Sequence, residues 1–181
     1  MKNFTFLALM LVASLGFAQT ISLPVDFEST STTSFTDFSG GQATVINNTQ
    51  SSGINTSSTV AQMVKGAGDP WGGSYLETTN PIDFSTNRTF KMKVYSPRAG
   101  ARVLLKVENL NDGAIAFEKE DTLTMANSWE ELTFDYSYID LNKQYSKIVI
   151  IFDIGVVGDG SANFTFLFDD IELINGGPYL T

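Results

Sequence analysis

From Thr20 onward, apolar and polar residues alternate in short runs separated by Gly, Asn, Asp, Ser or Pro. A period of two is the signature of strands with one face in a core and one in water. The runs at 60–65, 74–78, 89–95, 101–109, 114–120, 129–136, 147–153 and 164–173 predict eight strands or more, and no segment carries a convincing helical period. Between them stand Asn80-Pro81, Ser96-Pro97, Asn111-Asp112-Gly113 and Gly158-Asp159-Gly160, each able to supply a fixed or positive φ. Many strands, short turns and no crossover helix predict an all-β fold, a two-sheet antiparallel β-sandwich of the jelly-roll kind.

Parity along each run assigns the faces, because successive side chains of a strand point to opposite sides. Phe90, Met92 and Val94 share one face, as do Val103, Leu105 and Val107, and Leu132, Phe134 and Tyr136; these are predicted core. Lys91, Lys93 and Tyr95, then Arg102, Leu104, Lys106 and Glu108, then Glu131, Thr133 and Asp135 occupy the opposite face, which meets water or a ligand. The run at 164–168 is apolar on both parities, as a central strand covered on each side would be. The stretch 29–59 is rich in Ser, Thr, Asn and Gly and reads mostly as loop, with one strand at 43–46.

Lys2, the apolar run 4–15 and the small residues Gly16 and Ala18 read as a secretory signal peptide over 1–18. The run is shorter than the roughly 20 residues of a membrane span, so the expectation is an exported protein, secreted or at the cell surface, without membrane insertion. One sandwich domain is then expected over 20–174, with 175–181, beginning Asn175-Gly176-Gly177-Pro178, as a linker or tail that leaves room for covalently linked further domains. Composition narrows the chemistry. With no Cys and no His among 181 residues, thiolate nucleophiles, His-based triads and the usual zinc ligand sets are excluded. The formal charge of -9 opposes binding to nucleic acid or to anionic membranes.

Three segments carry a resemblance. Asp26-Phe27-Glu28, Trp129-Glu130-Glu131-Leu132-Thr133-Phe134 and Phe168-Asp169-Asp170-Ile171-Glu172-Leu173 together resemble galactose-binding-like jelly-roll carbohydrate-binding modules, families 4, 16 and 22 in layout, over most of the chain. The stretch 47–65, with Ser52-Gly53-Ile54-Asn55-Thr56-Ser57 and Val60-Ala61-Gln62-Met63-Val64-Lys65, and also Val103-Leu104-Leu105-Lys106-Val107-Glu108, is similar to modules of secreted or surface polysaccharide-utilisation proteins of marine Bacteroidetes. The resemblance implies a structural calcium joining the first strand to the last through Glu28 and Asp170, with Asp26 as a further acid. Calcium takes six to eight oxygens, which two carboxylates and loop carbonyls could supply. The other reading of these acids is solvated strand ends.

Sugar recognition needs an aromatic face for the C–H groups of a pyranose and planar hydrogen-bonding side chains for its hydroxyls. Trp71, in the loop Gly68-Asp69-Pro70-Trp71-Gly72-Gly73, fits best, with Tyr75 close behind; the alternative is a ring folded over the edge of the core. Trp129 opens a strand whose later members are core, and the resemblance implies that it is structural and outside the site. Between Asp83 and Glu108 there is no acid, and Lys91, Lys93, Arg102 and Lys106 lie opposite the core parity on consecutive strands. They read either as one basic patch, with Lys106 and Glu108 as hydrogen-bonding partners of a glycan, or as an ordinary solvated face.

The expected function is therefore non-catalytic binding of an extended polysaccharide, β-glucan first and an alginate-like uronate next. The alternatives are a glycoside hydrolase or lyase, and a structural or adhesive domain. Against an enzyme stand the absence of the Glu-x-Asp-x-x-Glu strand pattern and of any His for a Tyr/His lyase. Glu118-Lys119-Glu120-Asp121, the nearest acidic cluster, reads as an exposed strand end.

Overall fold

The computed structural model describes residues 20–28 and 33–176. The signal-peptide assignment at 1–18 and residues 177–181 of the expected tail lie outside the described residues. The described chain forms β1 Thr36–Phe38, β2 Gly41–Asn47, β3 Thr59–Lys65, β4 Gly73–Glu77, β5 Thr89–Ser96, β6 Arg102–Glu108, β7 Ala116–Thr122, β8 Ser128–Asp135, β9 Lys147–Phe152 and β10 Thr165–Ile174, with a short 3-10 turn at Ala162–Phe164. They build two five-stranded sheets, β1-β4-β9-β6-β7 (sheet 1) and β2-β3-β10-β5-β8 (sheet 2). Every strand pairing is antiparallel. The fold is the expected all-β two-sheet sandwich. The stretch read as mostly loop is more ordered than expected: β1 and the seven residues of β2 lie within 29–59. Both are edge strands, and their Gly, Gln, Thr, Asp and Asn residues interrupt the apolar alternation that a hydrophobicity reading relies on.

The core lies between the sheets and follows the parity assignment: Phe90, Met92, Val94, Val103, Leu105, Val107, Leu132, Phe134 and Tyr136 are all buried. Burying one such side chain stabilises the fold by roughly 1.5–3 kcal/mol. Tyr136 also crosses the sandwich, its hydroxyl donating to the Leu105 carbonyl at 2.6 Å. The first described segment staples the sheets together. Ile21 bridges to Thr78 beside β4, and Val25 exchanges two backbone hydrogen bonds with Ile171 of β10.

The two outer faces differ. On sheet 2, Val60, Leu167 and Trp129 point away from the core yet are buried, with Ile46 and Tyr95 packed beside them. The loop between β2 and β3 closes this face: the Trp129 indole donates to the Gln50 carbonyl at 2.8 Å, and the Asn55 amide donates to Asp169 at 2.9 Å. Trp129 is structural, buried on the outward parity of its strand by the covering loop and not by the core.

Candidate functional site

The outer face of sheet 1 carries the groove. After Lys147, β9 is an unbroken apolar run, so while Ile148, Ile150 and Phe152 enter the core, Val149 and Ile151 emerge on the other side. Leu104 of β6 joins them, and Phe38, Tyr75 and Ile154 pack against this trio to make an apolar floor. Register sets the order across the sheet. Tyr75 pairs with Val149, Val149 with Lys106, and Lys106 with Glu118; one step along, Ile151 pairs with Leu104 and Leu104 with Glu120. One side of the groove is therefore aromatic and aliphatic, the other charged. The hollow measures about 440 Å³ and is lined by Phe38, Trp71, Leu104, Val149, Ile151 and Ile154 together with Lys106, Glu108, Glu118 and Glu120.

Trp71 stands at one end of this groove and is 53% exposed. Its loop is fixed by backbone contact with the β1–β2 turn: Asp69 N–H donates to the Ser39 carbonyl at 3.0 Å, and Gly72 N–H to the Asp69 carbonyl at 2.9 Å. Gly72 is required here, because a Cβ on it would run into the Ser39 carbonyl. Tyr75, under the Lys147 ammonium at 4.9 Å from its ring centre, adds a second aromatic beside the floor. The charged side is internally balanced. Lys106 pairs with Glu108 at 2.9 Å and lies 3.9 Å from Glu118, while Arg102 pairs with Glu120 at 2.7 Å. Surface pairs of this kind are each worth about 0–1 kcal/mol, so their main consequence is to cancel the local field.

Five of the seven residues expected to bind sugar are thus gathered by sheet 1: Trp71, Tyr75, Arg102, Lys106 and Glu108. The single basic patch does not exist. β5 and β6 are consecutive in sequence but belong to opposite sheets, so Lys91 and Lys93 stand on sheet 2, where they pair with Glu131 at 2.5 Å and Asp170 at 2.6 Å. The local excess of basic residues is offset in space by acids from β7, β8 and β10. Parity within a strand placed Leu104 on this face but did not locate Glu118, Glu120 or the rest of the apolar floor. The signal that could have found the floor was the run 148–152, apolar on both parities.

The expected calcium ligands lie away from the groove, where the first segment meets β3 and β10. Glu28 accepts from the Thr59 N–H at 2.8 Å, and the Thr59 hydroxyl donates to the Phe27 carbonyl at 2.9 Å. The β3–β10 ladder ends at Ala61 and Phe168, two residues short of Thr59 and Asp170. Asp170 occupies an irregularity of β10 with φ +49 and holds Lys93, whereas Asp26 accepts from the N–H of Glu28 at 3.1 Å. Among the described residues no group of three or more acidic side chains is placed to hold a metal. The donor set present is two carboxylates with neighbouring carbonyls, which suits calcium only if main-chain oxygens complete the shell. Asp169 is fully buried between these elements, and its desolvation pushes the carboxyl up to about 6.

A second hollow of about 310 Å³ lies between the first segment and the chain after β4, lined by Ile21, Leu23, Pro81, Ile82, Asn87 and neighbours, with no aromatic ring for stacking. No helix among the described residues is long and apolar enough to cross a membrane.

No protein-family model matches this chain, and no curated protein matches it either. Solved structures do. A carbohydrate-binding module of the β-sandwich superfamily, from a study of promiscuous specificity, aligns with a TM-score of 0.57 at 14% identity, over 87% of this chain and 63% of that one. The family 11 carbohydrate-binding module from Clostridium thermocellum, in complex with a β-1,3-1,4-mixed-linked tetrasaccharide, aligns with a TM-score of 0.58 at 15% identity, over 83% of this chain and 93% of that one. An exo-β-agarase aligns with a TM-score of 0.61 at 16% identity, over 85% of this chain but 25% of the enzyme. At these identities the likeness establishes the fold, that of β-sandwich carbohydrate-binding modules, and the site must be argued from its own residues.

Proposed function

We propose that this protein is a non-catalytic carbohydrate-binding module whose sheet 1 groove takes an extended neutral polysaccharide, a β-glucan in preference to an alginate-like uronate. One observation carries the reading. The groove sets an exposed tryptophan and an apolar floor directly against a row of hydrogen-bonding side chains, which is what a pyranose with apolar faces and a hydroxyl rim requires. Trp71 and Tyr75 supply stacking surface; Lys106, Glu108, Glu118 and Glu120 supply donors and acceptors for hydroxyls. Because Lys106 and Arg102 are already neutralised by three glutamates, the groove offers no net positive field to a uronate. The family 11 neighbour, solved with a mixed-linked glucan fragment, lends this choice its support.

A binding role uses the groove acids as they stand, paired with cations. Glycoside hydrolysis needs two carboxylates flanking the scissile bond, one donating a proton and one attacking or activating water. Glu108, Glu118 and Glu120 all face a lysine or arginine. The reading includes export through the leader at 1–18 and a place within a larger secreted polysaccharide-acting protein, as the resemblance to modules of marine Bacteroidetes suggests and as the agarase neighbour, of which this fold is a quarter, illustrates. It also includes a structural calcium held by Glu28, Asp170 and main-chain carbonyls, which when bound would add a cross-link between the first segment and β10.

The test is affinity electrophoresis through gels containing barley β-glucan, xylan, agarose or alginate, with release of reducing and unsaturated ends assayed in parallel. Retardation by β-glucan without product release is the expected result. No retardation by any polymer would leave a structural or adhesive domain, and turnover abolished by a single Glu replacement would make it an enzyme.

A further inference from the structure

Lys65, the last residue of β3, is 1% exposed. A buried ammonium costs several kcal/mol unless its protons are satisfied. Here all three are satisfied by main-chain oxygens: Nζ donates to the carbonyls of Pro70, Phe152 and Asp153, each at 2.9 Å. These acceptors belong to the Trp71 loop and to the end of β9 and the loop that leaves it, which wall the groove at its Trp71 end. Pro70 immediately precedes Trp71, and Phe152 and Asp153 immediately precede Ile154 of the groove lining. The loops are tied to each other around the same point, since Gly155 N–H donates to the Pro70 carbonyl at 3.1 Å and Gly160 N–H to the Lys65 carbonyl at 2.9 Å. Gly158 packs so closely on the Lys65 backbone that a Cβ there would clash.

We propose that Lys65 is a positioning residue for the groove: its ammonium knots the Trp71 and Ile154 loops from beneath and so holds the stacking platform in the orientation that receives a sugar ring. The proposal rests on the groove being the glycan site. A tripod of carbonyls needs three protons, and only the charged amine carries them. A neutral amine has two, leaving one carbonyl without a donor and its lone pair facing oxygen. Burial lowers the lysine to about 8, with Asp153 opposing the shift, so the third proton is lost in an accessible pH range. The charged groups around it are Asp153 and Arg98, which pair with each other, while Asp69 and Asp159 are carried by the flanking loops.

Two-dimensional ¹H–¹⁵N spectra give one indole signal for each tryptophan, and Trp71→Phe assigns them. Between about pH 6.5 and about pH 9.5 the Trp71 indole should shift or broaden with the titration of Lys65 while the Trp129 indole stays in place. In Lys65→Met the Trp71 signal should be displaced at every pH and should not titrate. Affinity for β-glucan should fall roughly three- to tenfold over the same range in the wild type, the net worth of one hydrogen bond, and stay flat in Lys65→Met. A Trp71 signal indifferent to pH overturns the proposal from the wild type alone, even if Lys65→Met does not fold. If Trp71 titrates but no glycan binds at any pH, the positioning role stands and the glycan reading fails.

Discussion

Lys106 reaches Glu108, two residues along its own strand, at 2.9 Å, and so meets a ligand as half of a neutral pair rather than as a free cation. The same holds for Arg102 with Glu120. Retention by a neutral β-glucan should therefore change little between about 0.1 M and about 1 M salt, where the Debye length falls from about 10 Å to about 3 Å. Alginate should not be retained at either salt. Glu108→Gln with Glu118→Gln and Glu120→Gln, by freeing Lys106 and Arg102, should introduce salt-sensitive retention by alginate. Strong alginate binding by the wild type, weakening with salt, would reverse the assignment.

Trp71 is the proposed stacking platform. Replacing it with Ala should weaken β-glucan binding by on the order of 1–3 kcal/mol, the scale of base stacking on aromatic side chains, while leaving thermal stability nearly unchanged because the ring is half exposed. Tyr75→Ala should cost less affinity. Isothermal titration against a soluble mixed-linked oligosaccharide checks both, and an unchanged Trp71→Ala would remove that residue from the site.

Glu130 separates folding from binding. Its carboxylate, on sheet 2 and away from the groove, accepts from Thr124 N–H and hydroxyl and from Met125 N–H at 2.9–3.1 Å. Glu130→Ala should destabilise by roughly 1–3 kcal/mol, since it removes a buried charged acceptor shared by these donors, and lower Tm by several degrees with glucan affinity unaltered. Calorimetry paired with titration would expose an error if affinity fell in step with Tm.

Calcium, if held by Glu28 and Asp170, stabilises the native state by linkage, about 2.7 kcal/mol at 100 times its dissociation constant. Lys93 competes for Asp170. Melting of chelator-stripped protein should rise on adding calcium, rise further in Lys93→Met, and lose the effect in Asp170→Ala. Identical melting with and without the metal in all three proteins would end the calcium proposal.

Lys65 also gives stability a pH dependence. Its folded value near 8 lies below the ordinary 10.5, so between those values the unfolded chain holds more protons than the folded one, and stability from this group rises with pH. The burial cost is present in full below about 8 and is relieved as pH approaches 10.5. Urea unfolding of wild type against Lys65→Met should show the difference moving in favour of the wild type across that window. A constant difference would mean the ammonium is not buried as described.

The strand pattern, the turns and the core positions were legible in the sequence because they are local: alternation and turn chemistry depend on neighbours a few residues away. Val94 and Leu105 had to face inward whatever the topology. Trp71 and Tyr75 could be picked out for the same reason, as aromatics in or next to a glycine-rich loop. Which strands lie side by side is a different kind of fact. It depends on pairings between residues far apart in the chain, and the β5–β6 connection passes from one sheet to the other. That step sent Lys91 and Lys93 to Glu131 and Asp170, and brought Glu118 and Glu120 up to Lys106 and Arg102, so charge that looked like a basic patch along the chain became a balanced groove wall in space. Only the packed structure, too, could decide that the β2–β3 loop covers one sheet and leaves the other outer face open, and that a lysine at the end of β3 hydrogen-bonds the tryptophan loop. Side-chain type is written in the sequence; the partner of a charge is set by tertiary packing.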